Sequence, residues 1–303
     1  MEIREQELVM QPTTVSLAPV FRPQESTLKT VLLHMQDDAS VDARMETALA
    51  LARASSAHLS CVHITPIQAY VAFDSFGGVF VMNDVIRTID EQAARLQSRV
   101  EEKFRSEDVS WDYEQCTGDV ATTIVNRAAL ADLVVVGREP HRDDFAAPAT
   151  GLLGDLLYGA RSPLFIPADG PAVVDPTGLA LIAWDGSYEA ANAVRSSVGL
   201  LKLASAVRIV KVAEVKNEGF PHTKVLEYLS RQGIKADYVT EQPPSEMQDD
   251  DVVTAALIAH ARASGAAYLV MGGYSHSRVH EYVFGGVTRA LLKSCPVPLV
   301  IAH

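Results

Sequence analysis

Short apolar runs alternate with amphipathic stretches along most of this chain. Thr30 to Met35 is a compact apolar run that ends at Gln36, Asp37 and Asp38, and it predicts a strand. Val41 to Ala54 follows with apolar positions at helical spacing, Leu49 and Leu51 among them. His58 to Thr65 predicts a second strand, closed by Pro66. Asp84 to Ser106 is a long helix with its charges on one face, and Val109 to Gln115 is a third strand. Thr117, Gly118 and Asp119 make a turn and a cap for a helix over Val120 to Ala131. Asp132 to Gly137, DLVVVG, is the continuous apolar run of a strand buried on both faces. A helix over Leu152 to Tyr158 and a strand over Pro163 to Pro167 complete the first half.

The pattern then starts again. Leu179 to Trp184 predicts a strand ending in Asp185-Gly186-Ser187, and Ala190 to Leu203 a helix. Val207 to Val215 (strand), Lys224 to Arg231 (helix) and Ala236 to Thr240 (strand) come next. Asp251 to Ala263 (helix), Tyr268 to Met271 (strand), a glycine-flanked loop and helix, and Pro298 to Ala302 (strand) follow. Gly137 and Gly272 are 135 residues apart, and so are Pro163 and Pro298; Asp37 and Asp185 are 148 apart. The first half thus carries 13 more residues between its first and fourth strand ends. Residues 68–83, QAYVAFDSFGGVFVMN, account for that surplus. They read either as a packed hairpin or as a lid or contact surface. The chain divides into an extension (1–27), a first repeat (28–168), a Pro/Gly/Asp-rich linker (169–177) and a second repeat (178–303). Strands alternating with helices predict α/β domains with parallel sheets, and the period makes them two copies of one fold.

Bulk properties narrow the function. Hydrophobic content of 48% and charged content of 21% fit a globular protein. A net charge of −12 argues against nucleic acid as a partner. No apolar run is long enough to span a bilayer, and the acidic start MEIREQELVMQ lacks a signal-peptide core, so the expected location is cytoplasmic. Cys61, Cys116 and Cys295 are few, odd in number and far apart, which predicts reduced core thiols.

The chemistry concentrates in residues 270–288, VMGGYSHSRVHEYVFGGVT. A strand end, a glycine turn (Gly272, Gly273), a polar basic segment (Ser275, His276, Arg278) and a second glycine pair (Gly285, Gly286) precede a helix. Open backbone N–H groups and the positive end of a helix dipole there suit an anion. His276, His280 and Glu281 have metal-like spacing but no third fixed ligand, so a solvated loop is the better reading and no metal is expected. No Walker loop occurs. No histidine is placed to activate Ser187, so no catalytic residue is assigned. Gln248 to Asp251 reads as a helix cap, and Trp111 and Trp184 as core.

These residues resemble the universal stress protein family in its tandem two-domain form, from about residue 28 onward. LALIAWDGS (Leu179 to Ser187) resembles the family's first strand and acidic turn. The 270–288 stretch resembles its Gly-x2-Gly-x9-Gly-Ser/Thr nucleotide motif, in a Gly-Gly-Tyr and Gly-Gly-Val-Thr variant. The resemblance implies two Rossmann-like, doubly wound domains, each a parallel five-stranded sheet of order 3-2-1-4-5. It also implies an internal pseudo-dimer and homodimers, often through the last strand. It places ATP, ADP or AMP at Asp185, Val212, Gly272, Gly273, Ser275, Gly285 and Gly286, with no metal beyond the nucleotide's magnesium. Ser275 stands where the motif has its second glycine, and Gly286 where it has a hydroxyl; Thr288 is the nearest substitute, and His276 and Arg278 supply positive charge. In the first repeat Pro140 removes a donor from the corresponding loop, so that repeat reads as scaffold. The expected function is a non-enzymatic stress-response protein with an adenine-nucleotide cleft in its second domain. The alternatives are a weak ATPase or nucleotide hydrolase, and a chaperone-like or interaction module using residues 68–83.

Overall fold

The computed structural model describes residues 27–70, 72–73, 79–80, 83–138, 151–170, 174–213, 219–242, 250–273 and 285–303. The first half runs β1 (Thr30–Met35), α1 (Val41–Ser55), β2 (His58–Pro66), a 3-10 turn, β3 (Ala72–Phe73), β4 (Val79–Phe80), α2 (Asn83–Phe104) and β5 (Trp111–Gly118). It continues α3 (Val120–Ala128), β6 (Leu133–Val135), α4 (Leu152–Gly159) and β7 (Leu164–Ile166). The second half runs β8 (Leu179–Ala183), α5 (Tyr188–Ser196), α6 (Val198–Leu201), β9 (Ala206–Val212), α7 (His222–Arg231), β10 (Ala236–Glu241), α8 (Asp250–Ser264), β11 (Tyr268–Gly272), α9 (Gly286–Ser294) and β12 (Leu299–Ala302). The polar loop 274–284, with Ser275, His276, His280, Glu281 and Arg278, lies outside the described residues. So do 139–150, with Pro140, and much of the aromatic insertion 68–83; described there are the 3-10 turn through Tyr70, the antiparallel β3–β4 backbone pair and Asn83 at the start of α2.

Ten strands form one sheet in the order β10-β9-β8-β11-β12-β7-β6-β1-β2-β5. Each half has the order 3-2-1-4-5 with parallel pairing throughout. The halves meet where β12 runs antiparallel to β7, with Val300 opposite Phe165. Both fifth strands are therefore hydrogen-bonded on both sides, and the sheet's open edges are β5 and β10. Central strands such as Leu133–Val135 and Leu164–Ile166 are fully buried. That is why they read as unbroken apolar runs: helices cover both faces of a parallel sheet. One face packs under α1, α2, α5 and α7, the other under α3, α4, α8 and α9.

Both apolar clusters draw residues from both halves, so the core continues across the join. The Phe165 and Tyr268 rings lie 6.2 Å apart there. The Arg138 guanidinium donates to the Cys295 carbonyl at 3.3 Å, at the C-terminus of α9, and reaches Asp169. The cation complements the negative end of that helix.

Several expected elements differ in their bounds, as where β9 ends at Val212 and α3 at Ala128, and two of them trace to neighbouring contacts. The helix expected over Ala190 to Leu203 starts earlier and breaks at Ser197 into α5 and α6. Ser187 caps it at Tyr188, and a Cβ at Gly199 would lie 3.0 Å from the Leu28 nitrogen, so the chain entering the first repeat crosses closely there. The strand expected to end at Gln115 runs on to Gly118, paired with β2 along Cys116 to Gly118.

His34, Arg44 and Thr65 are buried polar residues near the carboxyl ends of the first half's strands. His34 on β1 is almost fully buried; burial first, and the Arg44 guanidinium second, lower its pKa from 6.5 to about 4, against a smaller raising effect of Asp38. Between pH 6.5 and 4 the unfolded chain takes up a proton there that the fold excludes. Stability is thus unaffected above pH 6.5 and falls as pH drops, by about 2 kcal/mol at pH 5 from this group. Urea unfolding midpoints should fall between pH 6.5 and 5 in the natural chain, and fall less in His34→Gln.

Candidate functional site

The second half has an open crevice where its strand order reverses, between β8 and β11. β8 ends at Ala183. Trp184 still donates its N–H to Val210 at 2.9 Å, and then the chain leaves the sheet at Asp185 and Gly186, the latter at φ +79°. One Asp185 carboxylate oxygen accepts the Ser187 N–H at 2.9 Å, and the Ser187 hydroxyl accepts the Ala190 N–H at 3.0 Å, capping α5. Asp185 is half-buried, and no cation among the described residues pairs with it.

Val212 lies at the end of β9. Its neighbour Ala213 donates to the Glu241 carbonyl, so the β9–β10 ladder uses the residues on either side of Val212. Alternation then turns the Val212 N–H and C=O toward β8, which has already ended; among the described residues neither group has a backbone partner. A donor and an acceptor stand side by side at the switch point, where doubly wound sheets bind ligands.

The glycines have different reasons. A Cβ on Gly272 would fall 2.6 Å from both the Ala190 nitrogen and the Glu189 carbonyl carbon, so the first turn of α5 rests on the end of β11. A Cβ on Gly273 would lie 2.9 Å from Ile301, and the Gly273 N–H donates to Ala302. Gly285 has open space where a side chain would be, and α9 begins after it with no side-chain cap. Among the described residues no side chain caps its first-turn N–H groups, which are donors at the end of the crevice. Gly286 is the first residue of α9. Thr288, the nearest substitute for the missing hydroxyl, shares the inward face of α9 with Leu291 and is only 6% exposed. The structure thus brings Asp185, Val212 and Gly272 to adjacent strand ends.

Two further residues stand at this mouth and escaped the sequence reading. Tyr188 opens α5 and is 69% exposed; Phe220 precedes α7 and is 41% exposed. Their rings meet edge to face with centroids 5.0 Å apart. The signal was present in the sequence, an aromatic directly after Asp-Gly-Ser and another directly before Pro221, but neither belongs to the nucleotide motif.

The first half is built differently at the same place. The ladder sets Val31 opposite Leu133 and Ala180 opposite Tyr268, so Gln36, not Asp37, occupies the place of Asp185. By helix register, Asp38 is the counterpart: it accepts the Ser40 N–H at 2.8 Å just ahead of α1, as Asp185 does ahead of α5. Asp38 already has a cation. Arg44 donates to both its oxygens, at 3.0 and 2.9 Å, and to the Gln36 carbonyl at 2.6 Å. The Arg44 side chain is 1% exposed and lies on Gly137, where a Cβ would be 2.4 Å from its terminal nitrogen. Ala191 stands at the corresponding position of α5. A hollow of about 160 Å³ in this half lies nearer the opposite strand ends, lined by Ser60, Asp112, Glu114 and Arg127. Arg127 there pairs with Glu114, and Asp112 is hydrogen-bonded to the His58 imidazole.

A universal stress protein from Archaeoglobus fulgidus DSM 4304 superposes with a TM-score of 0.67 at 15% identity, over 90% of this chain and 96% of that one. The chain has the universal stress protein fold, in tandem. A protein from Pseudomonas aeruginosa UCBPP-PA14, provisionally assigned to the same group, has a TM-score of 0.56 at 15% identity, over 92% of this chain and 94% of that one. A protein of unknown function from Pseudomonas aeruginosa PAO1 has a TM-score of 0.53 at 14% identity, over 92% and 93%. No protein-family model and no curated protein matches the sequence. No helix among the described residues is long and apolar enough to cross a membrane.

Proposed function

We propose that this chain is a tandem universal stress protein that binds one adenine nucleotide, in the crevice of its second repeat, and uses it to bias its choice of partner. The difference between the two repeats carries the reading. Among the described residues, the Asp185 carboxylate has no cation and the Val212 N–H and C=O have no backbone partner, whereas Asp38 and Gly137 are covered by Arg44. In this reading the Val212 N–H and C=O take the polar edge of the base, and Asp185 accepts from a ribose hydroxyl. The N-terminus of α9 and Gly285 face the phosphates, with Ser275, His276 and Arg278 contributing from the loop between. Magnesium enters only with the nucleotide. The first repeat, residues 28–168, is scaffold and internal pseudo-dimer partner of the second, residues 178–303. Because the fifth strands are paired with each other, the sheet edges left for a homodimer among the described residues are β5 and β10 rather than the last strand.

Calorimetric titration of the full chain with ATP, ADP and AMP tests the reading, with one ligand per chain expected. Asp185→Asn keeps an oxygen for the Ser187 N–H and loses the charge. It is expected to weaken binding about ten- to hundredfold, the worth of a charge-assisted hydrogen bond. No heat and no thermal shift at millimolar nucleotide sinks the proposal. Steady phosphate release that Asp185→Asn abolishes would replace it with a nucleotide hydrolase.

A further inference from the structure

We infer that Tyr188 and Phe220 form a fixed aromatic lip that stacks the base of the ligand in the second crevice, an inference that rests on the nucleotide reading above. The pair stands out because both rings are exposed while their backbones are held. Phe220 donates its N–H to the Gly186 carbonyl at 2.8 Å, and its own carbonyl accepts from the buried Trp184 indole at 3.3 Å. Phe220 is thus tied to the turn that positions Asp185. Tyr188 is the first residue of α5, and the Ser187 cap fixes the start of that helix. The backbone segments that carry both rings are thus held before a ligand arrives, so their ordering does not count against binding.

The edge-to-face packing of the two rings, with planes at 86°, leaves most of the Tyr188 surface in water. Covering an apolar face is favourable in proportion to the area removed from water. The neighbouring groups define what covers it. Val212 offers one donor and one acceptor, and Asp185 offers a carboxylate. A flat molecule with apolar faces, a polar edge and attached hydroxyls satisfies all of these together, and a nucleoside is such a molecule. An extended peptide would pair with the same strand-end groups, but its backbone brings no hydroxyl for the Asp185 carboxylate. The lip makes base affinity a property of this chain's own aromatics as well as of the strand ends.

The test uses the full chain with Tyr188→Leu, Phe220→Leu, Tyr188→Trp and Asp185→Asn. Both aromatic positions are exposed, so the variants should keep the parent's melting temperature. Calorimetry with AMP should show each leucine variant weakened about five- to hundredfold, the range for loss of one stacked base, and Tyr188→Trp at or above parental affinity. The fluorescence of 2-aminopurine riboside monophosphate should be quenched by the parent and by Tyr188→Trp, and less so by the leucine variants. If AMP binds and Asp185→Asn weakens it while both leucine variants bind like the parent, the lip is overturned and the nucleotide reading stands. If the parent binds no nucleotide, the nucleotide reading falls and the lip falls with it. Leucine variants that keep AMP but lose capture of a partner protein also overturn the stacking role.

Discussion

Alanine in place of Gly272 is expected to destabilise the fold by about 3 kcal/mol, at the upper end of overpacking penalties. The new Cβ would fall 2.6 Å from two backbone atoms of α5 and 2.8 Å from the Glu189 Cβ. No rotamer change relieves a clash with backbone, so the first turn of α5 must move away from β11. That turn is not free to move cheaply. It carries the Ser187 cap and follows the Asp185–Ser187 bond. Asp185 would shift with it, so ligand affinity should fall together with stability. Gly285→Ala is the control. Nothing lies within 4 Å of its added carbon and its φ is −56°, so a stability loss of no more than about 1 kcal/mol is expected. Denaturant midpoints of the two variants check this. A Gly272→Ala protein as stable as the parent would mean that α5 does not rest on β11.

The strands were legible because a parallel sheet covered on both faces needs unbroken apolar runs, and 133–135 and 164–166 have no other way to be stable. The repeat was legible for the same reason, since each buried run recurs at a fixed offset. Where the sequence reading slipped, tertiary contact decided. The helix break at Ser197 answers to the passage of Leu28 beside Gly199, which no local propensity encodes. A single offset could not align the two acidic turns. The ladder equates Asp185 with Gln36 and the helix cap equates it with Asp38, because the first turn is longer. The start of α5 was in plain view, since Ser187 two residues after an aspartate is a cap signal. Reading Asp-Gly-Ser only as a turn placed the helix two residues late and left Tyr188 out of it. Asp185 could be singled out as a carboxylate at a strand end. Nothing in the sequence around Arg44 tells that its guanidinium crosses to Asp38 and covers Gly137, because that depends on how closely α1 approaches β6.

Truncating Arg44 to alanine should cost about 3 to 4 kcal/mol. Removing one partner of a buried ion pair typically costs about 3 to 5 kcal/mol, because the other charge is left uncompensated. Here the loss falls toward the lower end: Asp38 is 32% exposed and recovers part of its hydration, whereas Arg44 is buried and its stem leaves a void. Arg44→Met separates the two contributions, since it fills most of the stem volume without the charge. It should be less destabilising than alanine by about 1 to 2 kcal/mol. A double-mutant cycle of Arg44→Met with Asp38→Asn isolates the pair, and a coupling of at least about 1 kcal/mol is expected for a doubly hydrogen-bonded guanidinium and carboxylate. The substitution also changes the acid limb. Arg44 is the second cause of the low His34 pKa and Asp38 opposes it, so without the arginine the imidazole becomes easier to protonate. Burial is the first cause and persists, so the value stays below 6.5. The fall in stability should then begin at the same pH, about 6.5, and level off at a higher pH than in the parent, giving a smaller total acid loss from this group. Urea midpoints of the parent and Arg44→Met measured from pH 7 to 4 decide it. Parallel curves would show that the Arg44 charge does not reach His34, and would count against a guanidinium held over the end of β6.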